Sequence, residues 1–235
     1  MTDLTDAGRA ALTLILTADP DLMEIVLRSL LVSGAAVAAA CAIGIPLGAA
    51  LGALRFPGRA PLLVLVNAMM GLPPVVVGLA LYLLLSRAGP LGPLGLLYTP
   101  AAMILAQTVL VVPIVAALTA QATADLAEEY ADLFAALRMR PAARLTTLIH
   151  DGRFTLVTAA LAGAGRALAE VGAVLIVGGN IDHATRVMTT AIALETSRGA
   201  LSLALGLGIV LLLLSLIVNG ALMALRGAAR RHAHG

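Results

Sequence analysis

The chain has 235 residues, 60% of them hydrophobic and only 12% charged, with a formal net charge of +2 and a mean hydropathy of +1.02. A soluble domain is about 45–50% apolar and roughly 25% charged, so the composition excludes an ordinary water-soluble globule, and the small net charge gives no case for nucleic-acid binding. The sequence contains no lysine, which excludes a phosphate-loop lysine and a Schiff-base lysine, and its lone Cys41 excludes a disulfide framework or a cysteine metal cluster.

The length suits a single transmembrane domain, 1–235, with no room for a second sizeable soluble one. The N-terminus does not read as a secretory signal, because Asp3 and Asp6 stand where a positive region belongs. Residues 1–21 read as an amphipathic segment. Its helix, Ala7 to Leu16, is too short to cross about 30 Å of hydrocarbon. Asp19, Pro20 and Asp21 then start a new helix, and no charge occurs from Ser29 to Leu54, the first span. Arg55 to Arg59 is a basic turn. A second uncharged run covers Ala60 to Ser86, and Gly89-Pro90-Leu91-Gly92-Pro93 is a loop by its breakers. A third span runs from about Thr99 to Thr119, a fourth from about Phe154 to Val177, and a fifth from about Ala200 to Leu225. The expected fold class is an all-α polytopic membrane protein of about five transmembrane helices. Arg55, Arg59, Arg138, Arg140, Arg144, Arg153, Arg226, Arg230 and Arg231 then share one side, which the positive-inside rule makes cytoplasmic. This places the N-terminus out and the C-terminus in.

Gly44, Gly48 and Gly52 recur every four residues in the first span, a spacing that lets two helices approach closely, within the chain or across a dimer. Pro46 is expected to kink the same span. Gly71-Leu72-Pro73-Pro74 interrupts the second span, and two prolines remove two backbone donors there. Freed carbonyls at membrane depth are tolerated only where protein or a water-filled cavity satisfies them. Pro73 and Pro74 therefore mark either a translocation-pathway element or a static kink, and Pro113 in the third span is a weaker instance.

Residues 125–153 are the most polar block of the chain. Leu126, Tyr130, Leu133, Phe134 and Leu137 follow the spacing of one helical face. Asp125, Glu128 and Glu129 crowd its first turn, where the helix dipole favours anions, and Arg138 and Arg140 crowd its end. Pro141 stops this helix and opens another, Ala142 to His150. The apolar face is expected to dock onto a soluble partner or to lie on lipid.

This block resembles the cytoplasmic loop of ABC-importer permeases, whose pattern is Glu-Ala-Ala, three residues, Gly, then an apolar helix. Laid on this chain, the pattern's Glu falls on Asp132, its alanines on Leu133 and Phe134, and its Gly on Arg138. Leu72-Pro-Pro-Val-Val-Val-Gly78 and the run Gly165-Arg-Ala-Leu-Ala-Glu-Val-Gly-Ala-Val-Leu-Ile-Val-Gly-Gly-Asn-Ile181 are similar to the oxyanion branch of those permeases. Thr185-Arg-Val-Met-Thr-Thr-Ala-Ile-Ala-Leu-Glu-Thr-Ser197 resembles the permeases of bacterial tungstate importers. The resemblance covers the chain from about Leu22 to Leu225. It implies a type I importer permease of the bacterial inner membrane, a second copy of the chain, a cytoplasmic ATPase dimer, and a periplasmic or lipid-anchored tungstate-binding protein. Residues 125–150 then become a coupling segment, with Asp132, Leu133, Phe134, Arg138 and Pro141 as its ATPase-coupling residues. ATP and magnesium are implied for the partner ATPase, with no cofactor on this chain.

Arg166 and Glu170 are the only charges inside a proposed span, and each costs about 2.5–3.5 kcal/mol at a helix centre on insertion scales. An i, i+4 spacing lets them meet on one helix face toward the bundle interior. They are either a buried structural pair or a pathway element in which Arg166 attracts a passing dianion and Glu170 prevents trapping. Gly178, Gly179 and Asn180 end the fourth helix with residues that tolerate positive φ. Asn180 either caps that helix or stands at the translocation mouth. Residues 182–199 read as a periplasmic gate-like segment, with His183 and Arg186 as candidate contacts for the binding protein. Four scattered histidines make no metal cluster. A molybdate or sulfate permease is the near alternative. An ion-coupled secondary transporter is the distant one, since internal repeats and multiple intramembrane charges are missing from the sequence.

Overall fold

The computed structural model describes residues 4–232. Asp3 and His234 lie outside the described residues, as do the side chains of Arg226, Arg230, Arg231 and His232. Among the described residues the chain forms eleven α-helices and one 3-10 turn, with no strand. In order these are α1 (Leu4–Leu16), α2 (Pro20–Ala53), α3 (Arg59–Met69), α4 (Pro74–Leu85), the turn Gly92–Leu94, α5 (Pro100–Glu129) and α6 (Ala131–Ala136). The remainder are α7 (Pro141–Asp151), α8 (Arg153–Leu168), α9 (Gly172–Gly178), α10 (Met188–Arg198) and α11 (Leu201–His232). Three helices, α2, α5 and α11, are long and apolar enough to cross a membrane, and the count reaches five if the broken pairs α3/α4 and α8/α9 each form one span. The all-α polytopic architecture is thus the one the composition demands.

Local chemistry explains where helices stop. The Asp19 carboxylate accepts the free N–H groups of Asp21 and Leu22, both at 3.1 Å, and so caps the start of α2. Pro46 and Pro113 sit inside α2 and α5, and neither ends its helix. The pair Pro73-Pro74 does. The N–H groups of Met70, Gly71 and Leu72 fall back on carbonyls three residues earlier, at 3.1–3.2 Å, as α3 tightens and stops. Pro73 is extended (φ −65°, ψ 121°), as a residue preceding proline must be, and Pro74 opens α4, where its missing N–H costs nothing. The fourth span is broken as well, between Leu168 and Gly172, although no proline stands there.

The chain divides into two compact units, and α2, α5 and α11 each contribute residues to both. One unit contains residues up to Ala36, Pro73–Gln107 and Ala167–Ile217. Its core is Leu22, Ile25 and Val26 with Met188, Ala191 and Leu207, and α1 lays Leu14 and Ile15 against it. Within the same unit α4 packs on α9. A Cβ on Gly78 would stand 2.8 Å from the Ala173 Cα, so only glycine permits that approach.

The other unit contains Val37–Leu72, Thr108–Arg166 and the chain from Val218. Here the glycine ladder of α2 meets α5. A Cβ on Gly48 would lie 2.4 Å from the Ala116 carbonyl oxygen, and one on Gly52 would lie 2.0 Å from Thr123 Oγ1. The close approach that the spacing anticipated is therefore made within the chain. Arg59 closes the C-terminal end of α2, donating from Nε to the Leu51 carbonyl at 2.6 Å and from Nη2 to that of Gly52 at 3.1 Å.

Candidate functional site

The polar block between α5 and α8 is built around a turn. One continuous amphipathic helix from Leu126 to Leu137 was the expectation; instead α5 ends at Glu129, Tyr130 is a turn, and the six-residue α6 follows. The break rotates the expected apolar face apart. Phe134 is 3% exposed, whereas Leu133 and Leu137 are 51% and 62% exposed, and Asp132 is exposed beside them. Phe134 is held by the edge of Tyr130 at 5.8 Å between centroids and by the Arg144 guanidinium 5.7 Å from its ring. Arg144 also donates to the Met139 carbonyl at 3.0 Å. Tyr130 and Arg144 therefore fix this turn, and sequence spacing alone did not single out either role.

The end of α6 explains Arg138. Its N–H bonds to the Ala135 carbonyl at 3.1 Å, and the Met139 N–H to that of Phe134 at 3.2 Å, the two bonds of a Schellman turn. That turn needs a left-handed residue, and Arg138 occupies it with φ +46°. The position matched to the family pattern's glycine thus keeps a glycine conformation under an arginine side chain. Pro141 then opens α7 as its first residue.

The α8–α9 break falls between Arg166 and Glu170, so the two stand on either side of the end of α8 rather than on one continuous helix. Helix α8 ends at Leu168, where the Glu170 N–H turns back to the Ala167 carbonyl at 3.2 Å, so Arg166 lies in the last turn of the helix and Glu170 beyond it. Glu170 is 3% exposed. Its Oε1 accepts the Ala173 N–H at 3.0 Å, capping α9, and its carbonyl accepts Thr189 Oγ1 at 2.8 Å. Gln107 donates from Nε2 to the Ala167 carbonyl at 3.0 Å, and Ser29 Oγ accepts the first N–H of α10, from Met188, at 2.7 Å. These residues meet around a chamber of about 10 Å³ that Ser33 also lines. Ser29, Gln107 and Thr189 were not candidates from the sequence; buried polar side chains within apolar runs are the signal that marks them.

The segment after α9 is a strained loop. Gly179 (φ +71°), Asn180 (φ +50°) and His183 (φ +52°) are all left-handed, as the Gly-Gly-Asn run anticipated for its first members. Asn180 Nδ2 donates to the Thr190 carbonyl at 3.4 Å, and Thr185, fully buried, donates to the Gly178 carbonyl and accepts the Ile181 N–H. His183 Nδ1 lies 2.8 Å from Glu24 Oε2, and Arg28 donates to the His183 carbonyl at 2.8 Å while pairing with Glu24. The hydrogen bond that Glu24 accepts from the imidazole, then the charges of Glu24 and Asp182, raise the His183 pKa above its usual value. Arg186 is 13% exposed on its side chain and pairs with Asp182 at 2.8 Å. Together Asp21, Glu24, Arg28, Asp182, His183 and Arg186 line a cavity of about 70 Å³.

Three long apolar helices, two further apolar helix pairs each bent at a break, and a polar inter-helix turn define a multi-pass membrane protein. No family model matches the chain. Whole-chain relatives are clear. A Haloferax volcanii protein named as a probable anion ABC transporter permease is 41% identical over 203 residues, covering 84% of this chain and 88% of the relative. Tungstate uptake system permease proteins TupB of Peptoclostridium acidaminophilum and Campylobacter jejuni are each 37% identical, over 95% and 91% of this chain and 98% and 90% of their own lengths. The chain belongs to the ABC transporter permease family, and is a multi-pass protein of the inner membrane.

Proposed function

We propose that this chain is the permease subunit of an ATP-driven importer of a tetrahedral oxyanion, with tungstate as the cargo. The observation that carries the reading is the match to two tungstate permeases along nearly their whole length. It is supported by the position of α6, a short helix with Leu133 and Leu137 uncovered between longer helices. In this reading two copies of the chain assemble with a cytoplasmic ATPase dimer and a periplasmic or lipid-anchored binding protein. The N-terminus is outside and the C-terminus inside. ATP and magnesium are used by the ATPase, and this chain binds no cofactor. Asp132, Leu133, Phe134, Arg138 and Pro141 form the coupling turn, with Phe134 as its buried anchor and Leu133 as its contact surface. In this reading Pro73, Pro74, Arg166, Glu170 and Asn180 line the translocation pathway, a role consistent with the helix breaks at Pro73-Pro74 and before Gly172. His183 and Arg186 meet the binding protein through the loop that their ion pairs hold in place.

The test is cellular uptake of tungstate with and without the gene, competed by molybdate and by sulfate. Loss of uptake on deletion, barely competed by excess molybdate, supports a tungstate importer. Full uptake in the deletion strain overturns it. Strong competition by molybdate or sulfate moves the cargo to that oxyanion. Arg166→Gln, with assembly of the complex verified, should slow uptake; an unchanged rate removes Arg166 from the pathway.

A further inference from the structure

We infer that Gln107 is a positioning residue of the transport cycle, which sets the α8–α9 break by holding the Ala167 carbonyl. In a continuous helix that carbonyl would accept the N–H four residues on, from Val171. At the break it takes instead the Glu170 N–H, at a stretched 3.2 Å, and the Gln107 amide at 3.0 Å. An unsatisfied backbone group in hydrocarbon costs several kcal/mol. The Glu170 N–H meets the Ala167 carbonyl only at a stretched distance, and Gln107, which is 3% exposed, supplies that carbonyl's second donor from α5, so the amide sets how firmly the break is held.

The other half of the same amide is uncommitted. Gln107 Oε1 is buried and has no hydrogen-bond partner among the described residues. It borders the chamber of about 10 Å³ shared with Ser29, Ser33, Glu170 and Thr189, which is the size of one water. An acceptor in that position is cheap to re-pair when the break flexes, whereas a fully bonded amide would lock it. Gln107 belongs to α5, the helix from Pro100 to Glu129. The break thus carries a releasable pin: Nε2 bonded to Ala167 holds one register, and Oε1 with its polar neighbours offers the next.

The inference rests on the transport reading. The experiment uses the complete complex (permease, ATPase and binding protein) in proteoliposomes, with tungstate and molybdate as probes. Gln107→Met keeps length and removes the amide. Gln107→Glu restores a donor only when its carboxyl is protonated, because the ionised form can accept but not donate. Gln107→Met is expected to slow uptake about tenfold at every pH, the scale of one buried hydrogen bond lost from a carbonyl that stays buried. Gln107→Glu is expected to be equally slow near pH 8 and to recover toward wild type near pH 5.5 in the same preparation, as burial raises the pKa of the new carboxyl. A folding defect cannot produce that recovery. The exposed Gln121→Ala, on the same helix, serves as control. Wild-type uptake with Gln107→Met matching it, or Gln107→Glu equally slow at both pH values, overturns the inference alone. Vesicles in which even the wild type takes up neither oxyanion overturn the transport reading and the inference with it.

Discussion

Replacing Arg138 with glycine should stabilise the protein, because the turn after α6 already holds the backbone in a conformation that suits glycine. The residue has φ +46°, and both hydrogen bonds of the Schellman turn depend on it. A left-handed conformation costs a residue with a Cβ roughly 1–2 kcal/mol. Glycine relieves that strain but brings extra freedom to the unfolded chain, worth about 0.5–1 kcal/mol in the other direction. The net gain is about 0.5–1 kcal/mol, which for a chain of this size shifts Tm by about 2 °C. Because the Arg138 side chain is exposed, little packing is lost with it. The sequence supplies the assay: with no tryptophan and a single cysteine, Cys41 in α2 reports unfolding through a thiol-reactive fluorogenic maleimide. Arg138→Ala is the discriminating partner, since it removes the guanidinium and leaves the strain, so its Tm should stay at the wild-type value. A rise in Arg138→Ala equal to that of Arg138→Gly would refute the conformational argument and assign the effect to charge. A fall in Arg138→Gly would refute it outright.

The glycine ladder makes a graded prediction: Gly48→Ala and Gly52→Ala each force a Cβ into backbone or Thr123 at 2.4 Å or less and should cost about 1–3 kcal/mol, whereas Gly34→Ala, with open space around it, should be neutral or slightly stabilising. The same thermal assay ranks the three, and equal stability of Gly52→Ala and Gly34→Ala would deny the close approach of α2 and α5. The loop at His183 makes a pH prediction. Its pKa is raised by Glu24, so the stabilising interaction is fully present below the unfolded value of 6.5 and is lost as pH rises through the higher folded value. Measured across that window, wild-type stability should decline with rising pH more steeply than that of His183→Gln; identical slopes would mean that the Glu24 contact is not made in solution.

What the sequence disclosed and what it hid divide along a physical line. Hydropathy located the spans because the hydrocarbon core imposes a length and forbids charge, and proline located the α3–α4 break because a missing N–H is written in the residue itself. The α8–α9 break carries no such mark. Gln107 and Thr189 reach its backbone from separated positions, and pairings 60 and 19 residues apart leave no local period. For the same reason the sequence put Arg166 and Glu170 on one continuous helix, whereas α8 ends between them at Leu168. The Tyr130 turn misled in the same way, since an apolar spacing of four and seven assumes an unbroken helix. At Arg138 the residue type hid the turn, because an arginine gives no sign of the left-handed backbone that it adopts between the two hydrogen bonds closing α6. The two breaks differ in this respect: backbone carbonyls three residues earlier meet the N–H groups before Pro73, whereas side chains from other helices reach the α8–α9 break, and only the first kind is written locally in the sequence.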